Sequence, residues 1–309
     1  MDNLLEINNV VKRYGDYTAL NDVSIQIPKG SVFGLLGPNG AGKTSLIRII
    51  NQITMPDAGE IILDGEKLQP NHIEHIGYLP EERGLYKSMK VGEQALYLAQ
   101  LKGLSKSEAK KRLKYWFDKF DISSWWDKKI EELSKGMAQK VQFIVTVLHQ
   151  PKLLIFDEPF SGFDPINAQL IAKEILQLRD EGATIIFSTH RMESVEEMCD
   201  DIALIDKSNK ILDGNLDEIK RQFRTNTFQV GLHTDNAKEV TAKLKENFDV
   251  FPADFKLLND ALKLNVKLSD GKSANDLLSL LTSNGQVEHF VELIPSANDI
   301  FIEAVNKNS

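Results

Sequence analysis

Gly37-Pro38-Asn39-Gly40-Ala41-Gly42-Lys43-Thr44 fits G-x-x-x-x-G-K-[ST], the pattern of a loop that cradles phosphates. The apolar run Val32–Leu36 before it reads as a buried strand. Ser45-Leu46-Ile47-Arg48-Ile49-Ile50 after it reads as a helix. Glycines let successive backbone N–H groups turn inward on an anion, and the helix N-terminus adds partial positive charge. Lys43 then reaches the β- and γ-phosphates, and the Thr44 hydroxyl can ligate Mg²⁺. A glycine-rich turn could match by chance, but the Lys-Thr ending and the strand–helix context argue against it.

Far downstream, Lys152-Leu153-Leu154-Ile155-Phe156-Asp157-Glu158-Pro159 reads as an apolar strand ending in two acids. Ligands collect at the carboxyl ends of strands in a parallel sheet. Asp157 is therefore expected near the phosphate loop, holding Mg²⁺ through water. Glu158, next along, is placed to polarise an attacking water. Acids are common at solvated strand ends, so the pair carries weight only because the phosphate loop accompanies it.

The 309 residues suit two domains, and 42% hydrophobic content is enough for real cores. No apolar stretch reaches the length of about 18 residues that a membrane span needs. The acidic start Met1-Asp2-Asn3-Leu4-Leu5-Glu6 is not expected to be a signal peptide. A single cysteine, Cys199, excludes an internal disulfide and fits a reducing compartment. The net charge of −8 argues against general nucleic-acid binding.

Residues 1 to about 30 read as strands, with Val23-Ser24-Ile25-Gln26-Ile27 alternating at period two. Buried parallel strands are expected at Val32–Leu36, Leu153–Phe156 and Thr184–Ser188, with helices between, an α/β layer architecture. Residues 86–148 read as helical and lysine-rich. Ser105-x-x-Glu108 is a capping box, and Ala109, Leu113, Trp116, Phe117 and Phe120 share one helical face that reads as core. Lys106, Lys110, Lys111 and Lys114 read as its solvated face. Composition shifts near residue 222. Phe228–Leu232 and Leu262–Leu268 alternate as strands, with another short strand expected near 249–257. Ala237–Phe248 reads as a helix, and Ser273 opens another that closes at Gly285 as a C-cap glycine. With a strand at Val287–Leu293 and a helix at Ser296–Val305, this is βαββαβ plus a helix, a ferredoxin-like α+β pattern without a catalytic constellation. His233 and His289 are isolated within it.

Leu133-Ser134-Lys135-Gly136-Met137-Ala138-Gln139-Lys140 separates this chain from other phosphate-loop proteins. It resembles the signature segment of ATP-binding cassette (ABC) ATPases, and further family landmarks follow in order. Tyr14 in Lys12-Arg13-Tyr14-Gly15 looks like the aromatic that stacks on adenine. Ser161-Gly162-Phe163-Asp164 looks like the loop that crosses the dimer interface, and His190 in Ser188-Thr189-His190 like the switch histidine. The resemblance spans residues 4–220. Residues 223–309 resemble, more weakly, an accessory domain of bacterial sodium- and drug-efflux ABC ATPases. The resemblance implies a P-loop ABC cassette in residues 1–222, with a parallel-sheet core, an antiparallel β subdomain and a helical subdomain at 86–148. It also implies ATP and Mg²⁺ as cofactors. Two cassettes would pack head to tail as a homodimer or a mixed pair, each ATP lying between one phosphate loop, through Ser45, and the partner's Ser134 and Gly136. Ser134 also reads as an ordinary helix N-cap, and both roles can hold. The implied function is ATP hydrolysis that drives a separate integral membrane permease, for export, from the cytoplasmic face of the membrane.

Two departures stand out. Lys135 replaces a glycine, and Met137 a glutamine, of the usual signature. In Tyr78-Leu79-Pro80-Glu81-Glu82-Arg83, Glu81 stands where the family has a glutamine that helps bind Mg²⁺ and senses the membrane partner. The carboxylate keeps an oxygen ligand and adds a charge; its alternative is a surface pair with Arg83. Two other functions compete with this one. A soluble ABC ATPase on ribosomes or DNA would carry two cassettes or a long coiled coil, and neither is seen. A nucleotide-gated regulatory module would have lost the base, yet Glu158 is present. Asn209-Lys210-Ile211-Leu212-Asp213 has one residue too many for the guanine motif N-K-x-D and lies in an expected hairpin.

Overall fold

The computed structural model describes residues 2–82, 84–257 and 261–308. It divides into two compact units, Met1–Leu216 with Phe301–Ser309, and Asp217–Ile300.

The first unit opens with a long antiparallel pair, β1 (Asn3–Tyr14) and β2 (Tyr17–Pro28), turned at Gly15-Asp16. Next come β3 (Val32–Leu36), α1 (Lys43–Ile50), β4 (Ala58–Leu63), β5 (Glu66–Lys67) and β6 (Ile76–Leu79). Three helices follow, α2 (Val91–Leu101), α3 (Lys106–Lys119) and α4 (Lys135–Val147). The chain then returns through β7 (Leu153–Asp157), α5 (Pro165–Asp180), β8 (Thr184–Ser188), α6 (Met192–Met198), β9 (Asp201–Asp206) and β10 (Asn209–Asn215); α7 (Leu216–Gln222) begins at the last residue of Met1–Leu216 and otherwise belongs to the second unit. One sheet has the order β2-β1-β4-β5 and is antiparallel throughout. The other has the order β10-β9-β3-β8-β7-β6, parallel except for β10. Every residue of β3, β7 and β8 is buried, which is why these strands read as unbroken apolar runs rather than alternating ones. β2 alternates instead: Val23, Ile25 and Ile27 join Phe33, Leu35, Leu46 and Ile50 in one core between the sheets.

The helical section is tied to the sheet by aromatic rings. Phe143 of α4 packs edge-on to Trp116 of α3 at 6.1 Å and stacks on Phe156 of β7 at 5.7 Å. Phe156 immediately precedes Asp157, so this packing reaches the functional edge of the sheet. The expected core face of α3 is buried, while Lys106, Lys110, Lys111 and Lys114 are exposed. The capping box expected there is only half formed. Ser105 Oγ accepts from the Glu108 N–H at 3.2 Å, but the Glu108 carboxylate turns to Arg112 Nε at 2.8 Å. A charged partner one turn along outcompetes a backbone amide. The segment 209–213 does lie in a hairpin, β9–β10.

The second unit contains β11 (Thr227–His233), α8 (Ala237–Lys245), β12 (Phe248–Pro252), β13 (Leu262–Leu268), α9 (Ala274–Thr282) and β14 (Gln286–Glu292); α10 (Ala297–Lys307) closes the chain. Its antiparallel sheet, in the order β12-β13-β11-β14, is the ferredoxin-like arrangement. Phe228, Val230, Leu232, Val240, Leu244, Leu264, Val266, Leu277 and Leu281 form its core. Two local expectations fail. The helix expected to reach Phe248 stops at Lys245, because Phe248 enters the sheet opposite Leu268. Gly285 does not adopt the left-handed C-cap conformation; glycine is needed because a Cβ would fall 2.4 Å from the His233 carbonyl oxygen. Ser273 does open α9, with Asp276 completing a capping box. His233 is exposed, and His289 lies 4.8 Å from the Phe255 ring.

Candidate active site

The phosphate loop grows out of β3, the strand flanked by β8 and β9. Its path is enforced by crowding. At Gly37 (φ 145°) a Cβ would fall 2.1 Å from the Ile205 carbonyl oxygen. At Gly42 (φ 121°) it would fall 2.3 Å from the Ala19 carbonyl oxygen. The loop is therefore pinned between β9 and β2. Pro38, Asn39, Gly40 and Thr44 are exposed, Ala41 is buried, and Lys43 and Ser45 are half-buried. Gly42 caps α1 without a side chain, so no side chain competes for the amides of the first turn. Lys43 Nζ donates to the carbonyls of Gly37 at 2.6 Å and Pro38 at 3.1 Å, lying over its own loop. Burial lowers the Lys43 pKa, while Asp157, Glu158 and Glu81 oppose that fall. The ammonium therefore sits among acids drawn from two other strand ends.

β7 and β8 deliver those acids and the histidine. Asp157 is buried at the last position of β7, opposite Ser188 of β8. Burial pushes its carboxyl up; Glu158 and Glu81 add to the rise, and Ser188 and Lys43 oppose it. Glu158 follows with a left-handed backbone, φ 50°. Its N–H donates to the Ser188 carbonyl at 2.9 Å, which re-aims the side chain across the end of β8. There its carboxylate accepts from Thr189 Oγ1 at 3.2 Å and the His190 N–H at 2.9 Å, and lies 2.7 Å from His190 Nδ1. The Glu158 side chain is 14% exposed and that of His190 71%. The sequence reading placed both residues at this sheet edge but did not foresee a direct hydrogen bond between them.

Glu81 lies just beyond β6, the neighbour of β7, and is exposed. Its charge reaches Lys43, Asp157 and Tyr78. Burial, then Asp157, pushes the Tyr78 hydroxyl up to about 12. The alternative partner Arg83 lies outside the described residues. Among the described residues no three His, Cys, Asp or Glu side chains are grouped to hold a metal ion. Oxygens from Thr44, Asp157 and Glu81 would need phosphate or water to complete a shell. That donor set suits a hard cation which keeps waters and phosphate oxygens.

Tyr14 is exposed and pairs with Tyr17 across the hairpin turn, with Lys12 Nζ 5.4 Å above its ring. Lys12 is itself held by the Met55 carbonyl at 2.8 Å and Asp57 at 3.1 Å. Tyr17, which the sequence reading passed over, donates its hydroxyl to the Gly40 carbonyl at 2.9 Å and ties the hairpin to the tip of the phosphate loop. The only sequence signal for it was a second aromatic beside the Gly15-Asp16 turn.

The signature segment lies elsewhere. Ser134 caps α4, its Oγ accepting from the Met137 N–H at 3.3 Å. Gly136 packs against the loop of Ser161–Asp164: a Cβ there would lie 3.6 Å from the Gly162 carbonyl oxygen. Asp164 caps α5, accepting from the Asn167 N–H at 2.9 Å and Asn167 Nδ2 at 2.6 Å, which holds its carboxyl below the usual range. Among the described residues, no hydrogen bond links Ser134, Gly136 or Asp164 to the phosphate loop. The chain thus brings together Gly37–Ser45, Glu81, Asp157, Glu158 and His190, and separately groups Ser134, Gly136 and the 161–164 loop.

Comparison with known proteins identifies the family of the chain. A family model described as ABC transporter matches residues 20–161, and one described as the C-terminal domain of DrrA1-3-like ATP-binding proteins matches 214–305. The chain is 42% identical over 302 residues to the ABC transporter ATP-binding protein YhaQ of Bacillus subtilis, covering 98% of both chains. It is 36% identical over 214 residues to the linearmycin resistance ATP-binding protein LnrL of the same species, covering 68% of this chain and 69% of that one. A solved ATP-binding subunit of an ABC transporter superposes with a TM-score of 0.67 at 32% identity, covering 71% of this chain and 93% of the other. A nucleotide-free ATP-binding cassette of an ABC transporter gives 0.64 at 26%, covering 71% and 94%. The chain belongs to the ABC transporter ATP-binding proteins: it is an ATP-binding, ATP-hydrolysing transporter subunit.

Proposed function

We propose that the chain hydrolyses Mg²⁺-ATP at composite sites between two paired cassettes and so drives an integral membrane permease. Lys43 would leave its loop carbonyls for the β- and γ-phosphates, with the amides of Gly40–Ser45 around them. Tyr14 would stack on the adenine. Thr44 and Asp157, with Glu81 beside them, would hold Mg²⁺, which when bound offsets charge on the phosphates. Glu158 would orient the attacking water and receive its proton. His190 would anchor Glu158 through Nδ1 and turn its exposed edge to the γ-phosphate. The paired cassette would supply Ser134, Gly136 and the loop ending at Asp164. The observation that carries this reading is the 2.7 Å contact between His190 Nδ1 and Glu158 at the strand ends beside the phosphate loop. Its test is Glu158→Gln, which should bind ATP, cease turning over and accumulate as an ATP-bound dimer in light scattering. Wild-type turnover by this variant would remove the assignment.

An apolar groove of about 440 Å³ runs beside the Glu81 loop, lined by Ile53, Tyr78, Pro80, Leu85, Leu98 and Leu101. It suits an apolar helical segment of the permease, and no helix among the described residues is long and apolar enough to cross a membrane itself. Relatives named for resistance and export, including the Nod factor export protein of Ralstonia nicotianae at 33% identity, favour an exporter at the inner face of the cell membrane. The matched relatives are transporter subunits, which favours this reading over action on ribosomes or DNA. We further propose that residues from about 223 form a separately folding accessory domain. A chain ending near Phe223 should stay soluble and bind ATP; insolubility would mean that the two parts share a core.

A further inference from the structure

We infer that Tyr17 is a positioning residue of the phosphate loop: its hydroxyl holds the Gly40–Ala41 peptide so that the Ala41 N–H faces the phosphates. The inference rests on the reading of Gly37–Ser45 as the phosphate cradle.

The two ends of the loop are fixed by crowding, and its tip is not. A Cβ at Gly37 or Gly42 would strike a carbonyl of a neighbouring strand, whereas one at Gly40 would meet nothing within 4 Å. Gly40 is exposed and sits at φ +80°. A glycine in open space lets the peptide that follows it turn over against little steric resistance. A trans peptide carries its C=O and N–H on opposite sides, so the direction of one sets that of the other. Turned over, the Gly40 carbonyl would face the phosphates in place of the Ala41 N–H. A repelling dipole would then replace an attracting one.

Tyr17 decides which way that peptide faces. Its Oη donates to the Gly40 carbonyl at 2.9 Å. The Ala41 N–H then points to the other side, where it donates to the Pro38 carbonyl at 3.2 Å. Lys43 Nζ donates to the same carbonyl at 3.1 Å. The inner donors of the loop thus rest on one of its own carbonyls, ready for a phosphate to take over. Among the described residues, the hydrogen bonds to the carbonyls of Pro38–Gly40 come from within the motif, except for the one from Tyr17. Tyr17 is itself held in the hairpin: it pairs with Tyr14 across the turn, and Ala19, two residues on, walls Gly42. The tip is therefore tied to a strand that already braces the loop's far end. Tyr17 is 54% exposed, so the bland alternative is that water replaces its hydroxyl without consequence.

The test uses the full chain and Tyr17→Phe, which keeps the ring and removes the hydroxyl. Calorimetric titration should show ATP, ADP and inorganic tripolyphosphate all bound about three- to tenfold more weakly, the scale of one net hydrogen bond. In turnover with Mg²⁺-ATP, KM should rise and kcat should hold, because bound phosphates themselves keep the amide inward. Tyr14→Ala should weaken ATP but not tripolyphosphate, which has no base to stack. Unchanged tripolyphosphate affinity in Tyr17→Phe would overturn the inference; if ATP alone were weakened, Tyr17 would belong to the base. A fall in kcat with KM unchanged would overturn it as well. If Lys43→Ala leaves tripolyphosphate affinity unchanged, the cradle reading falls first, and this inference with it.

Discussion

The phosphate-loop edge and the signature edge of the cassette are built in opposite ways. At the first, Gly37 and Gly42 are wedged against other strands, Asp157 is buried, and Glu158 is held by Thr189 and His190. At the second, Ser134 and Lys135 are exposed, and Ser134 and Asp164 bond only to their own helix caps. One edge is organised within the chain; the other is shaped, and among the described residues no hydrogen bond links Ser134, Gly136 or Asp164 to the phosphate loop, although the Ser161 N–H donates to the Glu158 carbonyl at 3.0 Å. The difference teaches that, in the proposed reading, binding nucleotide rests on the first edge of one chain, whereas turnover also needs the second edge of a paired chain.

Substitutions can break or sharpen that contrast. The largest expected effect is Glu158→Gln, which should slow turnover by about 10²–10⁴-fold, the usual range for a lost general base. ATP affinity measured by equilibrium binding should hold; its collapse would mean that Glu158 builds the pocket rather than the chemistry. Lys43→Ala should weaken ATP binding to the unpaired chain by roughly 10–100-fold, as the loss of a hydrogen-bonded charge does. Unchanged affinity in a fluorescent-nucleotide titration would break the claim that the first edge alone binds. Ser134→Ala should leave that affinity alone, lower the stability of the helical section by about 1 kcal/mol through the lost cap, and reduce turnover at limiting protein. A change in monomer affinity would place Ser134 at the wrong edge. The smallest effect is expected from Glu81→Gln, read as the midpoint of a Mg²⁺ titration at fixed ATP. A shifted midpoint supports a group beside the metal. An unshifted one leaves Glu81 as a surface acid, whose ion pairs are worth about 0–1 kcal/mol.

The failures of the sequence reading share a cause. Glu108 looked like the second half of a capping box, but Arg112 one turn away took its carboxylate. Gly285 looked like a helix stop, yet it is glycine because the His233 carbonyl passes close by. Phe248 looked like the end of a helix and became the first residue of a strand. In each case the local pattern was sound and a partner distant in sequence, or newly in reach, decided the outcome. Tyr17 was missed for the same reason: its hydroxyl matters only because Gly40 arrives beneath it.

The sequence by itself determined the elements and chemistry that local rules encode. It placed β3 and β8 to the residue, the phosphate loop between a strand and a helix, and the acids at the end of β7, because burial on both faces and backbone turns leave signatures in adjacent residues. Only the tertiary structure decided which strand ends meet. Setting β3, β8 and β7 side by side puts Lys43 within reach of Asp157 and Glu158, and closes the Glu158–His190 contact. It also laid the stem of Lys135 over Gly162. Strand order and side-chain contact arise from packing between segments far apart in the chain, and no short window of sequence carries that information.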